Sequence, residues 1–132
     1  MTPVDQEFLY RPDILQSGDC QRAVIASLLD LPISEVPHFL QEANAGGDGF
    51  YTRINTFLEA RGLEMLWHTS PIYHLKEGVD VYHDIMGPSP RGNGIFHAVV
   101  GCNGKIVHDP HPDKTGLAGD PAKWRYSFLV PL

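Results

Sequence analysis

Gln16-Ser17-Gly18-Asp19-Cys20-Gln21-Arg22-Ala23-Val24-Ile25-Ala26-Ser27-Leu28-Leu29-Asp30-Leu31-Pro32 is the stretch on which the fold turns. A polar, turn-forming lead-in gives way at Cys20 to residues that are apolar on nearly every side: Ala23, Val24, Ile25, Ala26, Leu28, Leu29 and Leu31. A helix apolar all round has no face to offer water, so Cys20 to Leu31 predicts a buried helix. Asp19 suits the N-cap and Pro32 the stop.

The rest of the chain can build a core around that helix. It has 132 residues, 42% of them hydrophobic and 20% charged, which fits one ordinary globular domain, residues 1–132. Sixteen acidic residues against ten basic ones give a net charge of -6. Nucleic-acid and anionic-membrane binders rest on basic patches, so neither partner class is expected. Two cysteines, Cys20 and Cys102, make no disulfide framework and point to a reducing compartment. Met1 to Tyr10 carries Asp5 and Glu7 and no signal-peptide pattern, and the apolar runs are too short to span a bilayer. The expectation is a cytoplasmic protein.

Beyond Pro32, a short helix is expected from Ser34, with Val36, Phe39 and Leu40 inward. The stretch Ala45-Gly46-Gly47-Asp48-Gly49 reads as a mobile loop. Phe50, Ile54, Phe57 and Leu58 then form the stripe of a third helix from Phe50 to Arg61, stopped by Gly62. Residues rich in β-branching and aromatic rings follow, predicting strands at 63–68, 79–85, 94–101, 105–109 and 124–130. Helices first and strands later predict an α+β fold, an N-terminal buried helix packed on a C-terminal antiparallel sheet.

Cys20 is the residue with chemistry to offer. It opens a helix, where unpaired N–H groups and the macrodipole favour a thiolate. A nucleophilic thiol needs a base, and the base needs a group to orient it. The hairpin from Gly94 to Asp109 supplies His97 and Asp109. Whether they meet depends on register. With Asn103-Gly104 as a two-residue turn, His97 falls opposite Pro110 and Asp109 points to the other face. With Cys102-Asn103-Gly104 as a three-residue loop, His97 falls opposite Asp109. The catalytic reading takes the three-residue loop.

These residues resemble the papain-like cysteine peptidase superfamily, with the nearest likeness to its small bacterial members, the bacteriocin-processing peptidases, where an Asp-Cys pair opens the helix. The resemblance implies a papain-like fold with Cys20 as nucleophile, His97 as base and then acid, and Asp109 orienting His97. It implies that Gln16, with the backbone N–H of Cys20, forms the oxyanion hole. Leu31-Pro32-Ile33-Ser34-Glu35-Val36-Pro37-His38-Phe39 and His108-Asp109-Pro110-His111-Pro112 are also similar to a group of small bacterial and phage proteins, a likeness that names no substrate.

Two further residues are expected at a substrate. Arg91, in the loop from Gly87 to Gly94, has a guanidinium fork that matches a carboxylate or phosphate. His111 is expected to face the substrate. His97, His108, Asp109 and His111 are chemically suited to zinc. However, His108 and Asp109, adjacent on a strand, point to opposite faces, so neither a metal nor another cofactor is expected. Cys102, at a hairpin tip, reads as an incidental thiol. The expected activity is thiol-dependent hydrolysis of a peptide or small amide through a thioester. The alternative is a catalytically silent module of the same fold that binds a peptide or protein partner.

Overall fold

The computed structural model describes residues 1–44, 49–92 and 94–132. Its order is helical first and strand-rich later. α1 spans Cys20–Leu28, α2 Phe39–Asn44 and α3 Phe50–Glu59; β1 spans Leu63–His68, β2 Tyr82–Pro88, β3 Phe96–Cys102, β4 Lys105–His108 and β5 Arg125–Pro131. The strands form one antiparallel sheet in the order β1-β5-β2-β3-β4. The α+β class follows directly from the composition of the two halves. Among the described residues no single helix is long and apolar enough to cross a membrane.

α1 is buried as its composition demands: Ala23, Val24, Ile25 and Ala26 are sealed from solvent. Val24 packs on Ala98 and Val100 of β3, while Ile25 and Ala26 join Val36, Phe39, Ile54 and Leu58 in a second cluster. The helix ends at Leu28, three residues short of the expected Leu31. Asp30 adopts a left-handed backbone (φ 55°), and Leu31 N–H bonds back to the Ala26 carbonyl at 3.0 Å. This is a Schellman closure, which ends the helix before Pro32 is reached.

The short helix expected from Ser34 is split. Ile33–Glu35 is a 3-10 turn, and α2 begins only at Phe39. Pro37 forces the preceding Val36 into an extended conformation (φ -114°, ψ 128°) that breaks the helix. Phe39 is buried as expected, whereas Leu40 is exposed. α3 ends at Glu59 rather than Arg61. Of the Gly-rich stretch read as a loop, 45–48 lie outside the described residues.

β2 runs three residues later than expected, from Tyr82 to Pro88, and so takes in Gly87 and Pro88, which had read as loop. Glycine is required at 87 by packing rather than by a turn. A Cβ there would lie 2.6 Å from Cδ1 of Trp124, whose indole covers this part of the sheet. Trp124 borders the cluster of Ile85, Val99, Tyr126 and Phe128 on the sheet face away from Val24.

The hairpin carrying His97 corrects the expected register. Asn103 and Gly104 both have positive φ (54° and 86°), and Cys102 pairs with Lys105, so the turn has two residues, not three. Such a turn alone would send Asp109 to the wrong face. A bulge repairs this: Gly101 pairs with Ile106, but Val100 pairs with His108, leaving Val107 unpaired. Continued past the end of β4, the shifted register sets Asp109 across from Val99, on the sheet face that His97 shares. One extra residue thus restores the parity that the tight turn removes.

Candidate active site

A cleft of about 570 Å³ opens where the start of α1 meets the start of β3. Leu9 and Tyr10 of the N-terminal segment, Phe39 of α2, Phe50 of α3 and Met86 and Phe96 of the sheet make it largely apolar. Cys20 and His97 lie in its wall, with Arg91 and His111 alongside. The expected nucleophile, base and two substrate-facing residues therefore share one cavity. Asp109 stands behind His97, outside the lining.

His97 is the pivot. Its Nε2 lies 2.7 Å from Oδ1 of Asp109, and both side chains are almost completely buried. The carboxylate is fixed in turn. Oδ1 also accepts the His111 N–H at 2.9 Å, Oδ2 accepts the Gly116 N–H at 2.7 Å, and Lys114 Nζ donates to the Asp109 carbonyl at 2.8 Å. An acceptor held this firmly keeps the imidazole proton on Nε2, so Nδ1 is the nitrogen left to exchange protons.

Charge follows from these contacts. Burial opposes a positive His97, but hydrogen bonding to Asp109 and Cys20, with the charge on both, raises its pKa to about 9. Burial likewise pushes the Asp109 carboxyl up, but His97 and the N–H groups of His111 and Gly116 prevail and hold it at about 2. Imidazolium and carboxylate therefore persist together through neutral pH.

The start of α1 is uncapped by any side chain. Asp19 occupies the expected N-cap position, yet its carboxylate makes no cap bond. It turns to the N-terminal segment, accepting the Glu7 N–H at 3.2 Å and the Phe8 N–H at 2.8 Å, and pairs with Arg22 at 3.2 Å. The segment is thereby strapped beside the cleft. The first-turn N–H groups at Cys20 gain no side-chain acceptor, and their partial positive charge suits an oxyanion.

Gln16 is not brought to this group. Its Nε2 donates to the Leu9 carbonyl at 2.7 Å, and the residue does not line the cleft. The short turn that pairs Arg11 with Gln16 directs the side chain back along its own segment. Gln6 is the N-terminal amide that does reach the cleft wall, with its Oε1 buried and unpartnered and its Nε2 on the Phe8 carbonyl at 2.6 Å. Its position in an extended segment, far from Cys20 in sequence, gave no signal.

His111 sits edge-on to His97, ring centroids 6.0 Å apart at 85°. Its Nδ1 accepts the Asp113 N–H at 3.0 Å. Burial, then the positive charges of Arg91 and His97, lower its pKa despite Asp113 and Asp109. His108 points elsewhere, with Nε2 on the Val4 carbonyl at 2.8 Å. Among the described residues no group of three or more His, Cys, Asp or Glu side chains could hold a metal ion.

Asp84 of β2 was not anticipated. It is buried beneath α1, where its Oδ2 accepts Gln21 Nε2 at 2.5 Å and its Oδ1 has no partner. Burial raises its pKa to about 7, against the pull of Gln21, Arg125 and His97. The signal available was an acidic residue in the middle of an apolar strand. No family model, no curated protein and no solved structure matches the chain.

Proposed function

We propose that this protein is a papain-like thiol hydrolase that cleaves an amide or peptide-type acyl bond. The observation that carries the reading is the buried His97–Asp109 pair, its imidazole also coupled to the thiol at the head of α1, in an apolar cleft. A thiol, a base and an orienter in that order form the unit that nucleophilic catalysis requires.

In this reading the proton of Cys20 already rests on His97 Nδ1, and Sγ attacks the substrate carbonyl. The oxyanion is held by the backbone N–H of Cys20. When the tetrahedral intermediate collapses, the C–N bond breaks, His97 protonates the departing amine, and an acyl thioester remains. Water then attacks the thioester, with His97 taking its proton. The C–S bond breaks, the carboxylic acid leaves, and the proton stays on His97 Nδ1, which restores the starting state. The net reaction is amide plus water to acid plus amine. Asp109 keeps Nε2 protonated throughout and does not itself exchange a proton.

The test is intact-mass spectrometry of the protein mixed with p-nitrophenyl butanoate, an activated apolar ester. The expected result is a butanoyl adduct mapped to Cys20 that forms and decays, with its decay slowed in His97→Ala. An adduct spread indifferently over Cys20 and Cys102, or one that never turns over in wild type, would leave the binding-module reading instead.

A further inference from the structure

We propose that the substrate carries an apolar acyl group and a leaving amine that bears a carboxylate, as in an N-acyl amino acid or the C-terminal residue of a peptide. The inference rests on the hydrolase reading and adds to it the two ends of the substrate.

The polarity of the cleft carries the argument. Leu9, Tyr10, Phe39, Leu40 and Phe50 line it from the N-terminal segment and the helices. Arg91 lines it from the loop before β3, the strand that holds His97, and His111 from the loop after β4, the segment that holds Asp109. Hydrolysis fixes which end is which. The general acid gives its proton to the leaving group, so the amine lies on the His97 side. The acyl group then falls on the apolar side, where burial of its methylenes favours binding.

Three arginines line the cleft, and two are already paired. Arg11 is bound to Asp13 at 2.9 Å, and Arg22 to Glu7 at 3.0 Å and Asp19 at 3.2 Å. Among the described residues Arg91 has no acidic partner, and its guanidinium meets the Thr115 hydroxyl at 3.4 Å. It is half-buried, and its charge is felt at His111, which abuts His97. The acidic residue at this end, Asp113, is exposed and lies 3.6 Å from His111 Nδ1. A guanidinium fork free of a carboxylate, on the leaving-group side, is fitted to receive one from the substrate.

The experiment uses N-octanoyl-glycine and N-octanoyl-glycinamide, which differ only in the terminal carboxylate. Wild type is assayed for release of glycine or glycinamide, and Cys20→Ala is titrated with both probes by calorimetry, which reads binding without turnover. The expected result is a preference of about tenfold or more for the carboxylate probe in both measurements, carried in KM rather than kcat. Arg91→Ala reduces the preference to about twofold or less, and Arg91→Lys restores part of it. Equal binding of the two probes by Cys20→Ala, or a preference that survives Arg91→Ala, overturns the inference even if both are hydrolysed. Carboxylate-selective binding without hydrolysis by wild type would overturn the hydrolase reading while keeping the assigned ligand.

Discussion

Asp109 Oδ1 and His97 Nε2 lie 2.7 Å apart with both side chains buried, and the carboxylate is pinned by two further backbone N–H groups. A carboxylate so fixed dictates which imidazole nitrogen carries the proton. Asn at 109 keeps the shape, but its uncharged amide no longer fixes that choice. Asp109→Asn is therefore expected to lower kcat by about 10³–10⁴ while leaving the fold intact. Steady-state kinetics beside a far-ultraviolet circular dichroism spectrum check both halves.

The same pair shapes stability against pH. The His97 pKa is raised to about 9, so its contribution is full below its ordinary value of about 6.5 and lost as pH rises through 9. The Asp109 pKa is depressed to about 2, so its contribution is present above about 4 and lost as pH falls towards 2. Between those limits the pair stabilises the native state. Melting temperatures followed from pH 2 to pH 10 should show His97→Ala losing most relative to wild type between about pH 4 and 6.5, with the gap closing as pH passes 9.

Asp84 works in the opposite sense. Its pKa is raised to about 7, so the native state keeps a proton that the unfolded chain has lost. Stability therefore falls as pH rises from about 4 to about 7. Asp84→Asn keeps an acceptor for Gln21 and removes the titration. The substitution is expected to be roughly 1–3 kcal/mol more favourable at pH 8 than at pH 5. Urea unfolding of both proteins at the two pH values measures the difference, and an equal effect at both would contradict a protonated native Asp84.

Gly87 makes a purely steric prediction. A methyl at this position would meet the Trp124 indole at 2.6 Å, and that ring is tied by Nε1–H to the Ala118 carbonyl at 2.8 Å. Gly87→Ala must displace the ring or bend β2, at a cost of about 1–3 kcal/mol. A lower urea midpoint together with a shifted tryptophan emission is the expected signature.

How much of this was written in the residues depends on whether one segment or two decide the outcome. α1 was legible because Ala23 to Ala26 leave no polar face, and Cys20 was legible because it follows a polar turn at that helix start. His97 and Asp109 do meet, as expected, but the route by which they meet was not readable. The bulge at Val107 is a property of two paired strands, and no local propensity announces it. Gly87 read as loop because Trp124, which packs against it, is distant in sequence. Gln16 seemed placed for an oxyanion until the Arg11 to Gln16 turn directed its amide to Leu9. Asp84 was signalled only as an acid within an apolar strand, while Gln21, which pairs with it, is distant in sequence.

The central claim is that Cys20 and His97 act as one unit, and thiol reactivity tests it most directly. Iodoacetamide labelling at pH 7, resolved by peptide mass spectrometry, compares Cys20 with Cys102 in the same molecule. Burial and the charge of Asp80 raise the Cys102 pKa, which makes it a slow internal reference. The account predicts that Cys20 reacts about tenfold faster than Cys102 or more, and that His97→Ala removes the advantage. Cys20 reacting no faster than Cys102, or at a rate indifferent to His97, would contradict it.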